Sequence, residues 1–155
     1  MQLNTSDGQS FSLSVERYEF PDEELGPTED NPADELDQGR FLIVRIAVTT
    51  SDGEWSAAGP EMTTTELERL ANWLEELSSG KSSKRGVYFT ERNLEFTVDE
   101  SVRVLTVHLF GDFLAPWAKE KQHDIAFPID QLELAGAVSS LRSQLEQFPG
   151  RPKPS

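Results

Sequence analysis

The chain has 155 residues and a formal net charge of −14, with 28 acidic and 14 basic side chains. This excess of acids disfavours DNA, RNA and anionic membranes as partners, because lysine and arginine bind those surfaces. An acidic surface instead attracts basic partners and speeds their association. The length fits one domain, which we predict for residues 1–150, followed by a flexible tail at 151–155.

The sequence contains no cysteine. Disulfides, thiolate nucleophiles and cysteine-bound zinc are therefore excluded, and the composition suits a reducing compartment. The first residues lack the basic and apolar regions of a signal peptide, and no run of about 18 apolar residues could span a membrane. We expect a cytoplasmic protein that contacts neither nucleic acid nor membrane.

The first predicted elements are strands. Residues 2–20 are expected to form a short strand, a turn at 6–8 and a longer strand, in which Phe11, Leu13 and Val15 alternate with polar residues. Pro21 ends this second strand, because a proline has no backbone donor for the ladder.

Residues 21–39, which we call the acidic segment, are predicted to form an irregular loop. They contain three prolines and no basic residue, and their like charges repel one another. A loop this long within a domain is either functional or disordered, and both interpretations stay open. As candidate contacts for a partner we take its eight acids: Asp22, Glu23, Glu24, Glu29, Asp30, Asp34, Glu35 and Asp37.

The run RFLIVRIAVTT at 40–50 is the most apolar part of the chain, which predicts a central strand covered on both faces. A turn at 51–53 leads into a hairpin partner, EWSAAG. The first helix is predicted at 64–78, with leucines at helical spacing and Gly80 at its end. Its capping box is either Thr63 with Glu66 or Thr65 with Glu68.

Four further strands are predicted in VYFT, NLEFTV, VRVLTVHLF and QHDIAFPID, and a second helix at 131–148 is expected to be capped by Asp130 and Glu133. In the third of these strands we place His108 on a core-facing row. The order of elements predicts an α+β fold, with about six to eight mostly antiparallel strands and two helices covering one face or end.

The sequence offers little for catalysis or cofactor binding. SSGKSS at 78–83 lacks the first glycine of a phosphate loop and follows a helix, so we interpret it as a helix end. His108 and His123 are too few for a metal site, even with Glu120 and Asp124 near the second. Glu91 and Glu95 are the most placeable carboxylate pair, but nothing indicates a cleft around them. We predict no catalytic residue, metal or cofactor.

Three tryptophans remain: Trp55, Trp73 and Trp117. Core packing is the expectation for each, because large aromatic side chains are mostly buried. Trp117 follows a proline in an irregular segment, and tryptophan is enriched at the centres of interfaces. We therefore add Trp117 to the candidate contacts for a partner.

Several segments together resemble the WapI-type immunity proteins of bacterial polymorphic toxin systems. They are RYEFP, the long stretch from FLIVRIAVTTSDGEW to LANWLEEL, VYFTERNLEFTV, IAFPID and the terminal LEQFPGR. The resemblance covers residues 10–151. Phe41 stands where the family usually has tryptophan, and Arg92 where it often has proline. The resemblance implies a small cytoplasmic protein that binds and neutralises a toxin domain, with no catalytic residues.

Three hypotheses follow for the function. The first is a non-enzymatic immunity protein whose acidic surface binds a toxin domain, for which a basic nuclease would be a suitable partner. The second is a structural or regulatory domain that binds another protein through a sheet edge or Trp117. The third is a carboxylate-using hydrolase, which would require a deep pocket holding two carboxylates.

Overall fold

The computed structural model describes residues 1–20, 40–81 and 84–151. These ranges form two four-stranded antiparallel sheets and two α-helices, which confirms the predicted α+β class. Sheet A contains, in spatial order, β1 (Gln2–Asn4), β2 (Ser10–Tyr18), β3 (Phe41–Thr50) and β4 (Gly53–Thr63). Sheet B contains, in spatial order, β5 (Gly86–Tyr88), β6 (Leu94–Asp99), β7 (Val104–Phe110) and β8 (Gln122–Pro128).

β3 lies between β2 and β4, as its apolar sequence predicted. The predicted cover on both faces is correct only for its first half, where Leu42, Ile43 and Val44 are all buried. Arg45 and Ala47 are exposed further along the strand. The second half therefore buries one face and leaves the other in solvent, as antiparallel sheets commonly do.

The pairing of β3 with β4 is interrupted near the end of β4. Leu42 pairs with Met62 but Ile43 pairs with Pro60, so Glu61 is the extra residue of a β-bulge. Glu61 continues the inward row that begins at Trp55, and the bulge allows Met62 to be buried as well. A carboxylate is thereby carried into the interior next to the start of the first helix.

The first helix, α1 (Thr64–Ser78), has the predicted bounds. Of the two possible capping boxes the structure forms the one between Thr63 and Glu66. The helix ends before Gly80, whose backbone has a positive φ of 72° and whose N–H donates to Leu77 O at 3.2 Å. The interpretation of 78–83 as a helix end holds as far as residue 81, and residues 82–83 lie outside the described ranges.

The second helix, α2 (Leu134–Gln147), is shorter than predicted. A separate 3₁₀ turn at Ile129–Gln131 precedes it. The predicted caps are wrong, because Glu133 at the N-cap position makes no capping bond and Asp130 pairs with Arg103 instead. The helix packs on the core through one apolar face, on which Leu134, Val138 and Leu141 are buried.

Sheet A and sheet B share one hydrophobic core, in which the Phe11 and Phe96 rings meet edge to face at 5.8 Å. β4 is an outer strand of sheet A, and segments that flank the strands of sheet B lie along it. The Asn93 N–H donates to Glu61 Oε1 at 3.2 Å, and Trp55 Nε1 donates to Phe113 O at 3.1 Å. The sequence predicted the strands but not their division into two sheets, which depends on these long-range contacts.

Candidate partner-binding surface

The eight acidic candidates of the acidic segment lie outside the described residues. The structure does describe the two points at which this segment leaves and rejoins the fold. The Glu19 N–H donates to Phe41 O at 2.9 Å, and the Phe20 and Phe41 rings meet at 6.2 Å. Arg151 Nη2 also donates to Phe20 O at 2.6 Å. The acidic segment is therefore attached where β2 ends and β3 begins.

Trp117 is half-exposed, with 49% of its surface accessible, so the expectation of core packing is wrong for this tryptophan. Its ring meets the Trp55 ring edge to face at 5.6 Å. The ring also lies against Gly53, where an added Cβ would be 3.0 Å from two ring atoms. The Trp117 ring packs against Gly53 because this residue has no side chain, and a larger residue there would obstruct the ring. The contacts with Gly53 and Trp55 hold the half-exposed ring in place.

Trp117 and the acidic segment are attached at opposite ends of sheet A. Trp117 contacts Gly53, which pairs with Thr50 at the end of β3, whereas the segment rejoins the fold just before Phe41 at its start. β3 has ten residues, which corresponds to roughly 30 Å. The two attachment points are therefore about the length of one strand apart.

A shallow depression of about 340 Å³ adjoins Trp117. Asp52, Glu120 and His123 contribute to its lining. The His123 ring packs against Trp55 at 5.4 Å, so this histidine is part of the aromatic cluster. Among the described residues, no group of three or more His, Asp or Glu side chains is placed to hold a metal ion.

Glu61 is a buried carboxylate that the sequence analysis did not single out. Its exposed fraction is 0%, and its Oε2 has no hydrogen-bond partner within the described residues. Burial raises the pKa of Glu61 to about 8, although hydrogen bonds from Asn93 and the Leu94 backbone act in the opposite direction. The alternation of inward positions from Trp55 along β4 was the signal in the sequence that could have revealed it.

Two buried glutamates fix the loop at 89–93 that joins β5 to β6. Glu61 accepts the Glu91 N–H at its backbone oxygen, at 3.2 Å, and the Asn93 N–H at its side chain. Glu66 accepts a bond from the Thr90 hydroxyl at 2.7 Å. The loop is thereby tied to both β4 and α1, while Glu91 remains exposed at its tip.

Glu91 lies near a second carboxylate at the exit of the acidic segment. Burial and the charge of Glu91 together raise the pKa of Glu19 above its ordinary value, while Arg17 lowers it. Glu91 also contributes to the raised pKa of Glu61. Glu19 and Glu91 therefore lie close together where the acidic segment departs, with Arg17 and Arg151 also nearby. Glu95, predicted as the partner of Glu91 in a carboxylate pair, instead lies on β6 opposite His108.

His108 does not face the core, which corrects the predicted orientation of β7. Leu105, Val107 and Leu109 form the buried row, and His108 belongs to the partly exposed one. Its Nδ1 lies 2.7 Å from Asp124 Oδ1, and its Nε2 lies 2.7 Å from Thr97 Oγ1. The imidazole is thus held by side chains from the two strands on either side of β7.

These hydrogen bonds link the hydroxyl of Thr97 to the imidazole of His108 and the imidazole to the carboxylate of Asp124. The same order of groups is known from hydrolase triads. Acyl transfer also needs donors aimed at a developing oxyanion. The backbone around Thr97 does not offer such donors, because it belongs to an interior strand that is paired on both sides, with Gly86 and with Thr106. The arrangement therefore orients a surface histidine, and we assign it no catalytic step.

The sequence also matches a known protein family. The sequence model of the WapI-like immunity protein family matches residues 2–149 of this chain. The chain belongs to the WapI-like immunity protein family. No curated protein matches it at a significant level.

This membership confirms the resemblance inferred from the sequence. The match to the WapI-like immunity proteins includes the acidic segment, the loop at 89–93 and Trp117. An immunity protein acts by binding, and such proteins are in general not enzymes. In the described part of this immunity protein, neither helix is long and apolar enough to cross a membrane.

Proposed function

We propose that this immunity protein binds a toxin domain and neutralises it in the cytoplasm, without catalytic activity of its own. The family match over residues 2–149 is the observation that carries the proposal. The net charge of −14 supports a basic partner, because opposite charges accelerate association. Nuclease domains bind nucleic acid through basic surfaces, so a nuclease toxin is the class that this charge fits best.

The acidic segment and Trp117 are the proposed points of contact. The eight acids of the segment would approach lysine and arginine side chains that otherwise bind phosphate groups. Trp117 supplies a positioned aromatic ring, the type of residue that contributes most to affinity at the centre of an interface. Binding at such a surface would block the toxin's access to its substrate.

The decisive experiment is co-expression with the open reading frames that neighbour the gene. We expect this chain to restore growth of cells that express a neighbouring toxin domain, and not of cells that express an unrelated toxin. If no neighbouring product is toxic, or if growth is not restored, the chain is better explained as a structural or regulatory binding domain. The exposed Trp117 is compatible with that second candidate.

The charge of the partner is tested separately by the association rate at different salt concentrations. We expect the rate to fall by about tenfold between low and high ionic strength, because salt screens the attraction between exposed charges. A rate that does not depend on salt would contradict the proposal of a basic partner. It would leave the immunity function itself in place.

A further inference from the structure

The exposed face of sheet B carries a row of polar side chains that crosses all four strands. Tyr88 pairs with Glu95, Glu95 with His108, and His108 with Asp124. Residues directly opposite each other in antiparallel strands project from the same face of the sheet. These four side chains therefore form one line, which we call the outer row.

The outer row belongs to a face whose outward strand positions are acidic, although Lys84 and Arg85 precede β5 and Lys121 precedes β8. Glu95, Asp99 and Asp124 lie at its outward positions, and the four strands contain no lysine or arginine. Hydrogen bonds from Gln122 and His108 hold the pKa of Asp124 below its ordinary value, although burial acts to raise it. A charged surface of this kind complements a basic surface on another molecule.

Two side chains of the outer row, His108 and Asp124, are also held in place before any partner arrives. His108 is fixed by bonds to both Thr97 and Asp124. Tyr88 is 56% exposed, and its hydroxyl lies near Gly86 on the same strand. Little side-chain entropy remains to be lost by His108 and Asp124 when this surface is covered, which favours binding.

The position of the outer row connects the two contact points proposed above. At one end, the loop at 89–93 joins Tyr88 to Glu95 and displays Glu91 close to Glu19, where the acidic segment departs. At the other end, Gln122 precedes Asp124 by two residues and lines the depression beside Trp117. The outer row thus ends near the exit of the acidic segment on one side and near Trp117 on the other.

We propose that the outer row of sheet B is a docking surface for the basic face of the toxin domain. Lysine or arginine side chains of the toxin would lie against Glu95 and Asp124, and Tyr88 would pack against their aliphatic parts. The inference rests on the proposed immunity function, since it names the surface through which that function is exerted.

The test measures the affinity of the full-length chain for an inactivated form of the neighbouring toxin domain. Glu95→Gln and Tyr88→Ala are compared with Glu16→Gln, which removes one charge from a strand of sheet A. Glu95→Gln and Glu16→Gln change the net charge equally, so any difference between them reports the location of the charge. Thermal unfolding of each variant shows whether the fold is retained.

We expect Glu95→Gln and Tyr88→Ala each to raise the dissociation constant by about fivefold to tenfold, and Glu16→Gln to change it by less than about twofold. If the wild-type chain binds and all three variants bind equally well, the outer row is not the docking surface and the immunity function stands. If the wild-type chain neither binds nor protects, the proposed function fails and the docking surface fails with it.

Discussion

At the scale of single residues, Glu61 is the side chain whose ionisation conflicts most with its buried surroundings. A carboxylate of ordinary pKa is charged at neutral pH, yet this one is fully buried next to Asn93 and has an oxygen without a partner within the described residues. Charging it there is unfavourable, because the interior solvates a charge poorly. The folded state consequently favours the protonated form.

Glu61 should therefore make stability depend on pH. Its pKa is raised from 4.5 to about 8 on folding, so the folded chain binds more protons than the unfolded chain between these two values. The free energy of unfolding should fall as pH rises from 4.5 to 8, by up to about 1.4 kcal/mol per pH unit, and should then level off.

The variant Glu61→Gln cannot titrate, and we expect it to flatten this part of the profile. Urea unfolding at several pH values between 5 and 9 measures the effect. Glu68→Gln, which removes an exposed glutamate from α1, serves as the control and should keep the slope of the wild-type chain. An equally steep profile in Glu61→Gln would show that another group is responsible.

Trp117 is expected to matter more for binding than for folding. Because the ring is half-exposed, Trp117→Ala should lower the free energy of unfolding by only about 1–2 kcal/mol. The same change should weaken toxin binding by about tenfold or more if the ring is an anchor. Calorimetric titration of the purified pair measures the affinity.

Val102 provides a matched control for Trp117, because it is another exposed apolar side chain, with 65% of its surface accessible, in the turn between β6 and β7. Val102→Ala should leave affinity unchanged. If both variants bind like the wild-type chain, the exposure of Trp117 has no role in recognition.

At the scale of elements, α1 could be read from the sequence because its signals are local. The leucine spacing, the cap at Thr63 and the stop at Gly80 all lie within one helix length. α2 was less predictable, since a 3₁₀ turn replaced its expected first turn. The orientation of β7 was also wrong, because both of its alternating rows contain apolar residues and only tertiary packing selects one.

The cap of α1 can be tested against the alternative that the sequence left open. The Thr63 side chain accepts the Glu66 N–H at 3.2 Å, so Thr63→Ala should destabilise the fold by about 1 kcal/mol. Thr65→Ala is the matched control, because Thr65 is exposed and should contribute little. Chemical denaturation of both variants measures the difference, and equal losses would contradict the assigned cap.

At the scale of the whole molecule, composition predicted the acidic character and the order of elements predicted the α+β class, but neither predicted which side chains the sheets bring together on the surface. Glu95, His108 and Asp124 are far apart in sequence and form one row only through the pairing of β6, β7 and β8. The sequence suggested the acidic segment and Trp117 as contacts. It contained no local signal for the outer row.

Deletion of residues 22–37 separates folding from recognition. Glu19 and Phe41 are bonded to each other across the exit of the acidic segment, and no described core contact depends on the deleted residues. We expect the free energy of unfolding to change by less than about 1 kcal/mol. We also expect slower association with the toxin domain, because eight negative charges are lost.

Stopped-flow mixing at low salt measures that association rate. A variant of the same full length, with the eight acids replaced by asparagine or glutamine, controls for the change in chain length. If both variants associate as fast as the wild-type chain, the acidic segment has no part in steering.

The bond between Glu19 and Phe41 closes the connection between β2 and β3 independently of what lies within it. The entropy of closing a loop grows slowly with length, so that each doubling costs only about 0.6 kcal/mol. Sequences of different length and composition can therefore replace residues 21–39 at little expense to the scaffold. Under the proposed function, this junction would let the contact residues of the acidic segment change while the two sheets and their core remain the same.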